Sequence, residues 1–312
     1  MRMFVAGASG TVGRPLVRQL VAAGHEVTGT TRAESRSGEI QAVGAEAVVC
    51  DVFDADALTQ AVEAARPEVV INELTSLPRE YNPRQMDERF YAPTNRVRTE
   101  GGGNLLSAAR SAGAKRLVTQ SIAFLYAPEG EMVKDEGGRA FTDAPGAFGT
   151  GVKAMTSHEQ AVLEAEGIEG LVLRYGWFYG AGTYYAADGS IAERVRKRRF
   201  PIVHGGDGLF SFVHVEDAAG ATVAACEHGP QGIYNVVDDE PAAASEWLPV
   251  YAEALGAKAP WRVPGFVGRL FGGAAARLVS EVRGASNAKA KRELAWQPRY
   301  PSWRQGFREA LG

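Results

Sequence analysis

Three glycines near the start of the chain limit what this sequence can fold into more than any other feature. Gly7, Gly10 and Gly13 recur at intervals of three between an apolar run at 3–6 and a segment with helical periodicity. In a strand–turn–helix unit, such glycines permit a tight turn, close approach of the backbone to a pyrophosphate, and packing of the helix on the strand. The helix N-terminus then offers free N–H groups to the phosphates. The sequence therefore predicts a dinucleotide-binding loop formed by Gly7, Ser9, Gly10, Thr11, Val12 and Gly13.

The chain continues as an alternation of short apolar runs and helical patterns. Strands are predicted at 3–6, 27–31, 45–50, 69–72, 117–120 and 171–174. Repeated strand–helix alternation produces parallel strands joined by crossover helices. We therefore expect an α/β fold in which residues 1–180 form a Rossmann-type doubly wound parallel sheet. Residues 181–312 are expected to form a smaller, mixed substrate-binding part that returns some segments to the main domain.

The overall composition limits the partners that the chain can have. The formal net charge is −3 and 23% of the residues are charged, which provides no general attraction to nucleic acid or to an anionic membrane. Cys50 and Cys226 fall in apolar patterns, and the five histidines lack the spacing of metal ligands. No apolar run reaches the roughly 20 residues of a membrane span. We expect a soluble, cytoplasmic protein without a metal, whose partner is a small-molecule substrate and whose assembly, if any, is a homodimer.

The end of the second predicted strand bears on the choice of cofactor. NAD-binding folds place a carboxylate there for the ribose hydroxyls, but here the strand ends in Arg32 and the first carboxylate is Glu34. An arginine pairs with the 2′-phosphate of NADP through charge-assisted hydrogen bonds. NADP is therefore favoured over NAD, with a solvated loop arginine as the alternative. Asp51 and Val52, after the third strand, are expected to flank the adenine, unless Asp51 only caps the next turn.

Further short segments follow the glycine-rich loop: Asp51-Val52, Asn104-Leu105-Leu106, Gln120-Ser121, Leu173-Arg174-Tyr175, Tyr179-Gly180, Phe212-Val213-His214-Val215-Glu216-Asp217, Tyr234-Asn235-Val236 and Trp296-Gln297-Pro298. Together with the loop, they resemble the extended short-chain dehydrogenase/reductase family, also called the NAD-dependent epimerase/dehydratase family. The resemblance covers nearly the whole chain. It implies a Rossmann fold, a nicotinamide cofactor and a cofactor contact at Tyr175.

The sequence departs from this family where catalysis is expected. The family uses a Tyr-x-x-x-Lys pair together with a serine or threonine at the end of strand five. The matching segment is taken to be 149–153, in which Lys153 is present but Gly149 stands in for the tyrosine. The usual catalytic hydroxyl falls on Ile122. Ser121 precedes that position by one residue. Because successive strand residues point to opposite faces, Ser121 is not placed to point into the site as the usual hydroxyl does. The chain is therefore interpreted as an atypical member that lacks the tyrosine.

Four side chains are candidates for the missing proton donor: Lys153, Tyr126, Ser121 and Tyr179. Lys153 is predicted to stand where a helix over 154–166 begins, a place at which the helix dipole disfavours positive charge. This cost favours a functional lysine over a solvated surface lysine. In that role Lys153 would contact the nicotinamide ribose or act as a general acid/base.

The expected substrate pocket is apolar. Nucleotide-sugar members of the family carry a phosphate-binding arginine at the position of Phe210, and only the basic run at 194–199, otherwise a solvated helix end, could compensate. Aromatic residues cluster after strands five and six, which suits the walls of a small-molecule pocket. We expect an NADP-dependent oxidoreductase acting on a small, rather apolar carbonyl or alkene. The alternatives are a non-catalytic NADP(H)-binding sensor or regulator and a nucleotide-sugar epimerase or dehydratase.

Overall fold

A computed structural model describes residues 1–82, 86–265 and 279–311 of the protein. Its strands are β1 (Arg2–Ala6), β2 (Glu26–Thr31), β3 (Glu46–Val49), β4 (Val69–Asn72), β5 (Arg116–Ile122), β6 (Val133–Lys134), β7 (Glu169–Tyr175), β8 (Trp177–Tyr179), β9 (Ile202–Val203), β10 (Leu209–Phe210), β11 (Phe212–His214), β12 (Gly232–Val236), β13 (Ala242–Ala243), β14 (Arg262–Val263) and β15 (Gly284–Ala285). Its helices are α1 (Gly13–Ala22), α2 (Ser37–Gln41), α3 (Ala55–Ala65), α4 (Glu88–Arg96), α5 (Gly102–Ser111), α6 (Ala147–Leu163), α7 (Ser190–Arg196), α8 (Val215–Glu227), α9 (Ala244–Ala254), α10 (Ala288–Glu293) and α11 (Trp303–Leu311). A π-helical turn at Val97–Gly101 joins α4 to α5.

Seven parallel strands form the central sheet, in the order β12-β7-β5-β4-β1-β2-β3. The chain runs from β1 through β2 to β3 at one edge and then crosses back to place β4 on the other side of β1. Doubly wound sheets bind their ligands outside the carboxyl ends of the strands at such a reversal. Ala6 and Asn72 end the two strands at this point. The prediction of a Rossmann-type doubly wound sheet is confirmed.

Helices cover both faces of the sheet, because its strands are apolar on both sides. On one face α1 and α8 pack on the strands through side chains such as Leu16, Leu20 and Ala218. On the other face α3 and α5 do so through side chains such as Leu58 and Leu105. Within the described ranges, no helix is both long and apolar enough to cross a bilayer.

A second cluster of buried aromatic residues forms a core in the later part of the chain. Its members include Phe210, Phe212, Trp247, Trp303 and Phe307. Strand β12 leaves this part and pairs with β7 at the edge of the main sheet. The predicted division into domains at residue 180 stays a prediction.

Helix α6 begins seven residues earlier than the sequence suggested. We expected it at 154–166, but it spans Ala147–Leu163. Glycines disfavour helix by about 1 kcal/mol each relative to alanine, so Gly149 and Gly151 concealed the first two turns. The prediction that Lys153 stands at the N-terminus of this helix is therefore wrong: it lies in the helix interior.

Candidate active site

The glycine-rich loop has the close packing that only glycines allow. Gly7 has φ +90°, and a Cβ there would lie 2.8 Å from the carbonyl oxygen of Glu73. A Cβ on Gly13 would lie 2.1 Å from the carbonyl oxygen of Gly7. Helix α1 starts at Gly13, and no side chain caps it at Val12, so its first N–H groups are left for a ligand. This backbone cradle fits the pyrophosphate of a dinucleotide.

Two other loop residues tie the cradle to its surroundings. Ser9 Oγ donates a hydrogen bond of 3.3 Å to Thr31 Oγ1 at the end of β2. Thr11 Oγ1 donates one of 3.3 Å to the carbonyl oxygen of Gly182. The loop therefore joins the sheet to the segment that follows β8.

The residues expected around the adenosine lie at the carboxyl ends of β2 and β3. Arg32 is exposed and makes no hydrogen bond or ion pair within the described part of the chain. Asp51 is also exposed, and its Oδ1 accepts from the backbone N–H of Phe53 at 3.1 Å. Val52 is buried, and Asn104 Nδ2 donates to its carbonyl oxygen at 3.0 Å. Asp51 thus caps a turn, and its contact with adenine stays a prediction.

A buried chain of polar groups lies beside the glycine-rich loop. Tyr175 Oη donates to Glu73 Oε1 at 2.8 Å and lies 2.6 Å from Thr222 Oγ1 of α8. Burial of the Glu73 carboxyl group raises its pKa to about 8, and burial also raises the pKa of Tyr175 well above its usual value. A neutral carboxylic acid therefore stands behind the phosphate loop at neutral pH. Sequence reasoning had missed Glu73, because one glutamate after a strand carries no recognisable motif.

Helix α6 does not direct Lys153 toward the crevice. Lys153 is exposed, whereas Gly151 and Met155 lie on the buried face of the helix. A Cβ on Gly151 would lie 3.4 Å from Tyr91 Cδ1 of α4, and Met155 belongs to the same apolar cluster as Ile122. A Tyr-x-x-x-Lys pair must present both side chains on one helix face. Gly151 and Met155 form an inward pair near the start of α6, whereas the predicted pair of Gly149 and Lys153 has only its glycine buried.

Ser121 and Tyr126 belong to a buried ion-pair network instead of the crevice. Arg174 binds both carboxylate oxygens of Glu159, at 3.0 and 2.6 Å, and Ser121 Oγ donates to the same carboxylate at 2.6 Å. Tyr126 Oη accepts from Arg174 at 3.1 Å and donates to Asn235 Oδ1 at 2.7 Å. Burial raises the pKa of Tyr126. Both hydroxyls are thus committed to structural hydrogen bonds, which does not favour either one as proton donor.

Tyr179 and Phe210 are part of the aromatic core. Tyr179 packs against Phe212 and Phe307, and a Cβ on Gly306 would lie 2.0 Å from its hydroxyl oxygen. Burial raises its pKa. Phe210 is 1% exposed and contacts Trp177 on one side. Tyr179 is therefore directed into the core and away from the sheet edge.

Side chains of the basic run at 194–199 contact nearby residues of the chain. Arg196 donates to the carbonyl oxygen of Ala187 at 2.6 Å, and Lys197 pairs with Glu193 one helical turn away. Arg198 lies over the ring of Trp261, 3.8 Å from its centre. These contacts are those of a solvated helix end.

Apolar side chains line the crevice where β5 and β7 end. Phe124 stacks on Trp177 with the ring centres 4.0 Å apart and the planes 15° from parallel. Both rings and the neighbouring Ile122 are only partly buried. The stacked rings of Phe124 and Trp177 form a flat apolar wall, which suits a planar ligand.

The fold agrees with the comparison to known proteins. A model of the NAD dependent epimerase/dehydratase family matches residues 3–236. The chain belongs to this family. A 3-diazoavenalumate denitrifying reductase from a Streptomyces species is 46% identical over 309 residues, which cover 98% of this chain and 99% of that protein.

Two further proteins are similar to this chain. A Stigmatella aurantiaca ketoreductase, named for a 4-hydroxy-2-methyl-3-oxo-4-farnesyl-3,4-dihydroquinoline-1-oxide, is 29% identical over 262 residues, 83% of this chain and 75% of that one. The crystal structure of a human epimerase family protein with NADPH superimposes with a TM-score of 0.75 at 21% identity, covering 100% of this chain and 99% of that one. The chain is an NAD(P)-dependent oxidoreductase whose glycine cradle fits a nicotinamide dinucleotide.

Proposed function

We propose that this protein is an NADPH-dependent reductase that transfers a hydride to an aromatic diazonium group and releases dinitrogen. One observation carries the proposal. We assign the places of this family's hydroxyl and of its Tyr-x-x-x-Lys pair to the end of β5 and to two inward positions of α6, which hold Ile122, Gly151 and Met155. None of these side chains can donate a proton.

The missing proton donor distinguishes between hydride acceptors. A ketone that accepts a hydride becomes an alkoxide, and its reduction is assisted by a general acid that protonates the oxygen. An arenediazonium ion is already cationic. Addition of one hydride forms a C–H bond, the C–N bond breaks, and its electron pair leaves with dinitrogen, so that no proton is consumed. A site lined by apolar side chains is therefore sufficient for this acceptor.

The bound reduced nicotinamide supplies the hydride, and the residues of the chain hold the reactants. The cradle at Gly7, Gly10 and Gly13 would bind the pyrophosphate. The stacked rings of Phe124 and Trp177 would position a planar aromatic ring and exclude water, which protects a diazonium ion from hydrolysis. The name of the 46% identical Streptomyces relative, a denitrifying reductase of a diazo compound, supports the same acceptor.

Arg32 supports NADPH as the hydride donor. It is exposed at the end of β2, where NAD-specific folds place a carboxylate. A guanidinium that has no partner among the residues described by the structure is available to a 2′-phosphate. The neutral Glu73 on the other side of the loop adds no negative charge that would oppose three phosphates.

A direct assay tests the proposal. The protein is mixed with an arenediazonium salt and NADPH deuterated at C4, and the product is analysed for dinitrogen and for deuterium on the ring. We expect stoichiometric dinitrogen and one deuterium per arene. The variant Gly13→Ala, whose Cβ would lie 2.1 Å from the Gly7 carbonyl oxygen, controls for uncatalysed reduction. A rate equal to that of this variant contradicts the proposal.

A second candidate is reduction of a small, apolar ketone, with Glu73 as the acid. The neutral carboxyl group beside the loop and the ketoreductase name of the 29% identical relative favour it. An acetyl arene of the same skeleton as the diazonium salt separates the two candidates. Turnover of the ketone alone supports the second, and turnover of neither supports a non-catalytic NADP(H)-binding protein.

A further inference from the structure

Arg98 is a buried cation that has no counter-charge in the described part of the chain. It is 7% exposed, its Nε finds no hydrogen-bond partner within the described ranges, and its Nη1 reaches Asn95 Oδ1 at 3.5 Å. Among the residues described, no carboxylate pairs with it. Arg174 shows the usual arrangement: it is equally enclosed and binds both oxygens of Glu159. Proteins almost always pair a buried charge, so Arg98 requires an explanation.

The position of Arg98 is at the edge of the crevice. It lies in the π-helical turn between α4 and α5, and such turns are frequent at functional sites. A Cβ on Gly101 of the same turn would lie 3.0 Å from Cγ1 of Val52, which follows β3. Asn95, the neighbour of Arg98, faces Gly151 of α6. The guanidinium therefore belongs to the wall formed by α4 and α6 beside the carboxyl ends of the strands.

Packing between these two helices demands one glycine of α6 and does not demand the other. At Gly149 a Cβ would lie 2.0 Å from the carbonyl oxygen of Ala144, so that position must be glycine. At Gly151 the nearest atoms to a Cβ would be Tyr91 Cδ1 at 3.4 Å and Asn95 Oδ1 at 3.7 Å, which is ordinary contact. A glycine in a helix interior is unfavourable. Its presence at 151 leaves space that a side chain would fill.

The groups around Arg98 supply no negative charge. Tyr91, on α4, keeps its proton, because burial raises its pKa. His158, on α6, is neutral, because burial lowers its pKa to about 4, and its Nε2 lies 3.0 Å from Thr119 Oγ1 and 3.3 Å from Asn72 Nδ2. Asn95 offers one amide oxygen. An anion that completes this site must come from a ligand.

We infer that Arg98 binds the carboxylate of an aromatic acid that occupies the crevice beside α4 and α6. A guanidinium matches a carboxylate with two parallel hydrogen bonds. The pyrophosphate of the cofactor has its own cradle at Gly7–Gly13, so the anion available to Arg98 is on the substrate. The apolar wall of Phe124 and Trp177 suits the aromatic body of the same molecule. This inference rests on the proposed function and adds the substrate class: an aromatic carboxylic acid that carries the reducible group.

Binding of an unreactive probe tests this site without turnover. The protein saturated with NADP⁺ is titrated by calorimetry with cinnamate and with cinnamamide, which has the same shape and no charge. We expect cinnamate to bind about 10- to 100-fold more tightly, the usual value of a charge-assisted pair. Equal affinities would overturn the inference in the unaltered protein, whatever the variants do.

Three variants locate the effect. Arg98→Met keeps the length and removes the charge, and it should bind cinnamate no better than cinnamamide while its NADP⁺ affinity is unchanged. Arg98→Lys should keep part of the preference. Arg110→Met, at an exposed arginine of α5, is the matched control and should behave as the unaltered protein. A cinnamate preference that survives in Arg98→Met, or a loss of NADP⁺ affinity in its place, overturns the assignment.

The two proposals can fail separately. Preferential binding of cinnamate without reduction of any diazonium salt supports the carboxylate site and contradicts the reductase. Reduction of a diazonium salt at the same efficiency with and without a carboxylate on the ring contradicts the site and leaves the reductase standing.

Discussion

The hydroxyl of Tyr175, at the end of β7, donates a 2.8 Å hydrogen bond to the carboxyl group of Glu73, which follows β4. The backbone of Glu73 in turn packs against Gly7, whose missing side chain leaves room for its carbonyl oxygen. The bond therefore connects the phosphate loop to the strand end at which the nicotinamide half of a dinucleotide is expected. The protonation state of Glu73 should therefore affect the affinity for the cofactor.

Cofactor affinity is predicted to fall in alkaline solution. Glu73 has a pKa of about 8, so it is neutral at pH 7 and ionises above pH 8, where a carboxylate behind the loop repels the pyrophosphate. The NADPH dissociation constant of the unaltered protein, measured by fluorescence, should rise between pH 7 and pH 9. Glu73→Gln should remove this rise. Parallel pH profiles for the two proteins would contradict the prediction.

The same group should shape the pH dependence of stability. Its pKa is higher in the folded protein, about 8, than its ordinary value of 4.5, so the folded state binds the proton more tightly. The unaltered protein should therefore lose stability relative to Glu73→Gln as the pH rises from about 4.5 to 8, with no further loss above that. Melting temperatures of both proteins over this range test the sign. A relative gain with rising pH would show that Glu73 is ionised in the fold.

Discrimination between cofactors is predicted to depend on Arg32. Its loss removes a charge-assisted bond to the 2′-phosphate, which contributes about 1.5–3 kcal/mol, or roughly 10- to 100-fold in affinity. NADPH should bind more tightly than NADH, and Arg32→Ala should remove most of that difference without changing NADH affinity. Arg110→Ala, at an exposed arginine remote from β2, should change neither. Equal affinities in the unaltered protein would refute the choice of NADP.

Lys153 is predicted to be dispensable. It is exposed on the outer side of α6, and substitutions at such places change free energies by about 0.5 kcal/mol or less. Lys153→Met should therefore keep turnover within about twofold. A loss of 100-fold would instead return Lys153 to the catalytic site and require α6 to begin differently.

The glycine-rich loop and the position of Lys153 on α6 show what the sequence could and could not predict. The loop Gly7–Gly13 was predictable because its function is carried by the backbone, and three glycines at fixed spacing encode that backbone directly. Which face of α6 a side chain occupies depends on where the helix begins. Gly149 and Gly151 lowered the helical signal there, although position 149 must be glycine because a Cβ would clash with the Ala144 carbonyl oxygen.

The partners of Ser121 and Tyr126 could not be found from the sequence, because they lie far apart along the chain. Ser121 and Glu159 are 38 residues apart, and Tyr126 and Asn235 are 109 residues apart. A hydroxyl beside a strand end looks the same in a sequence whether it faces a crevice or a buried carboxylate. Arg98 could not be recognised for a different reason: nothing in the sequence distinguishes a buried arginine from the solvated ones.

The buried pair of Arg174 and Glu159 is predicted to be essential for folding. Both side chains are 5% exposed, so Glu159→Gln leaves a buried guanidinium without its charge partner and should cost about 3–5 kcal/mol. Ser121→Ala removes one neutral donor from the same carboxylate and should cost about 1 kcal/mol. The matched control is Glu100→Gln, in the exposed pair with Arg96, which should cost about 0–1 kcal/mol. Urea unfolding measures all three, and a small cost for Glu159→Gln would contradict the prediction.

The two glycines of α6 are predicted to respond in opposite directions to alanine. At 149 the added Cβ would meet the Ala144 carbonyl oxygen at 2.0 Å, and the start of the helix would have to move, at a cost of about 1–3 kcal/mol. At 151 the Cβ would make ordinary contacts with Tyr91 and Asn95, so the gain in helix propensity should stabilise the protein by up to about 1 kcal/mol. Urea unfolding of Gly149→Ala and Gly151→Ala measures both signs.

Because the free energy of unfolding gives no reason to keep glycine at 151, Gly151→Leu should bind cinnamate at least about 10-fold more weakly while it remains folded. Destabilisation by Gly151→Ala would show that packing requires this glycine and would remove the reason to connect it with a ligand.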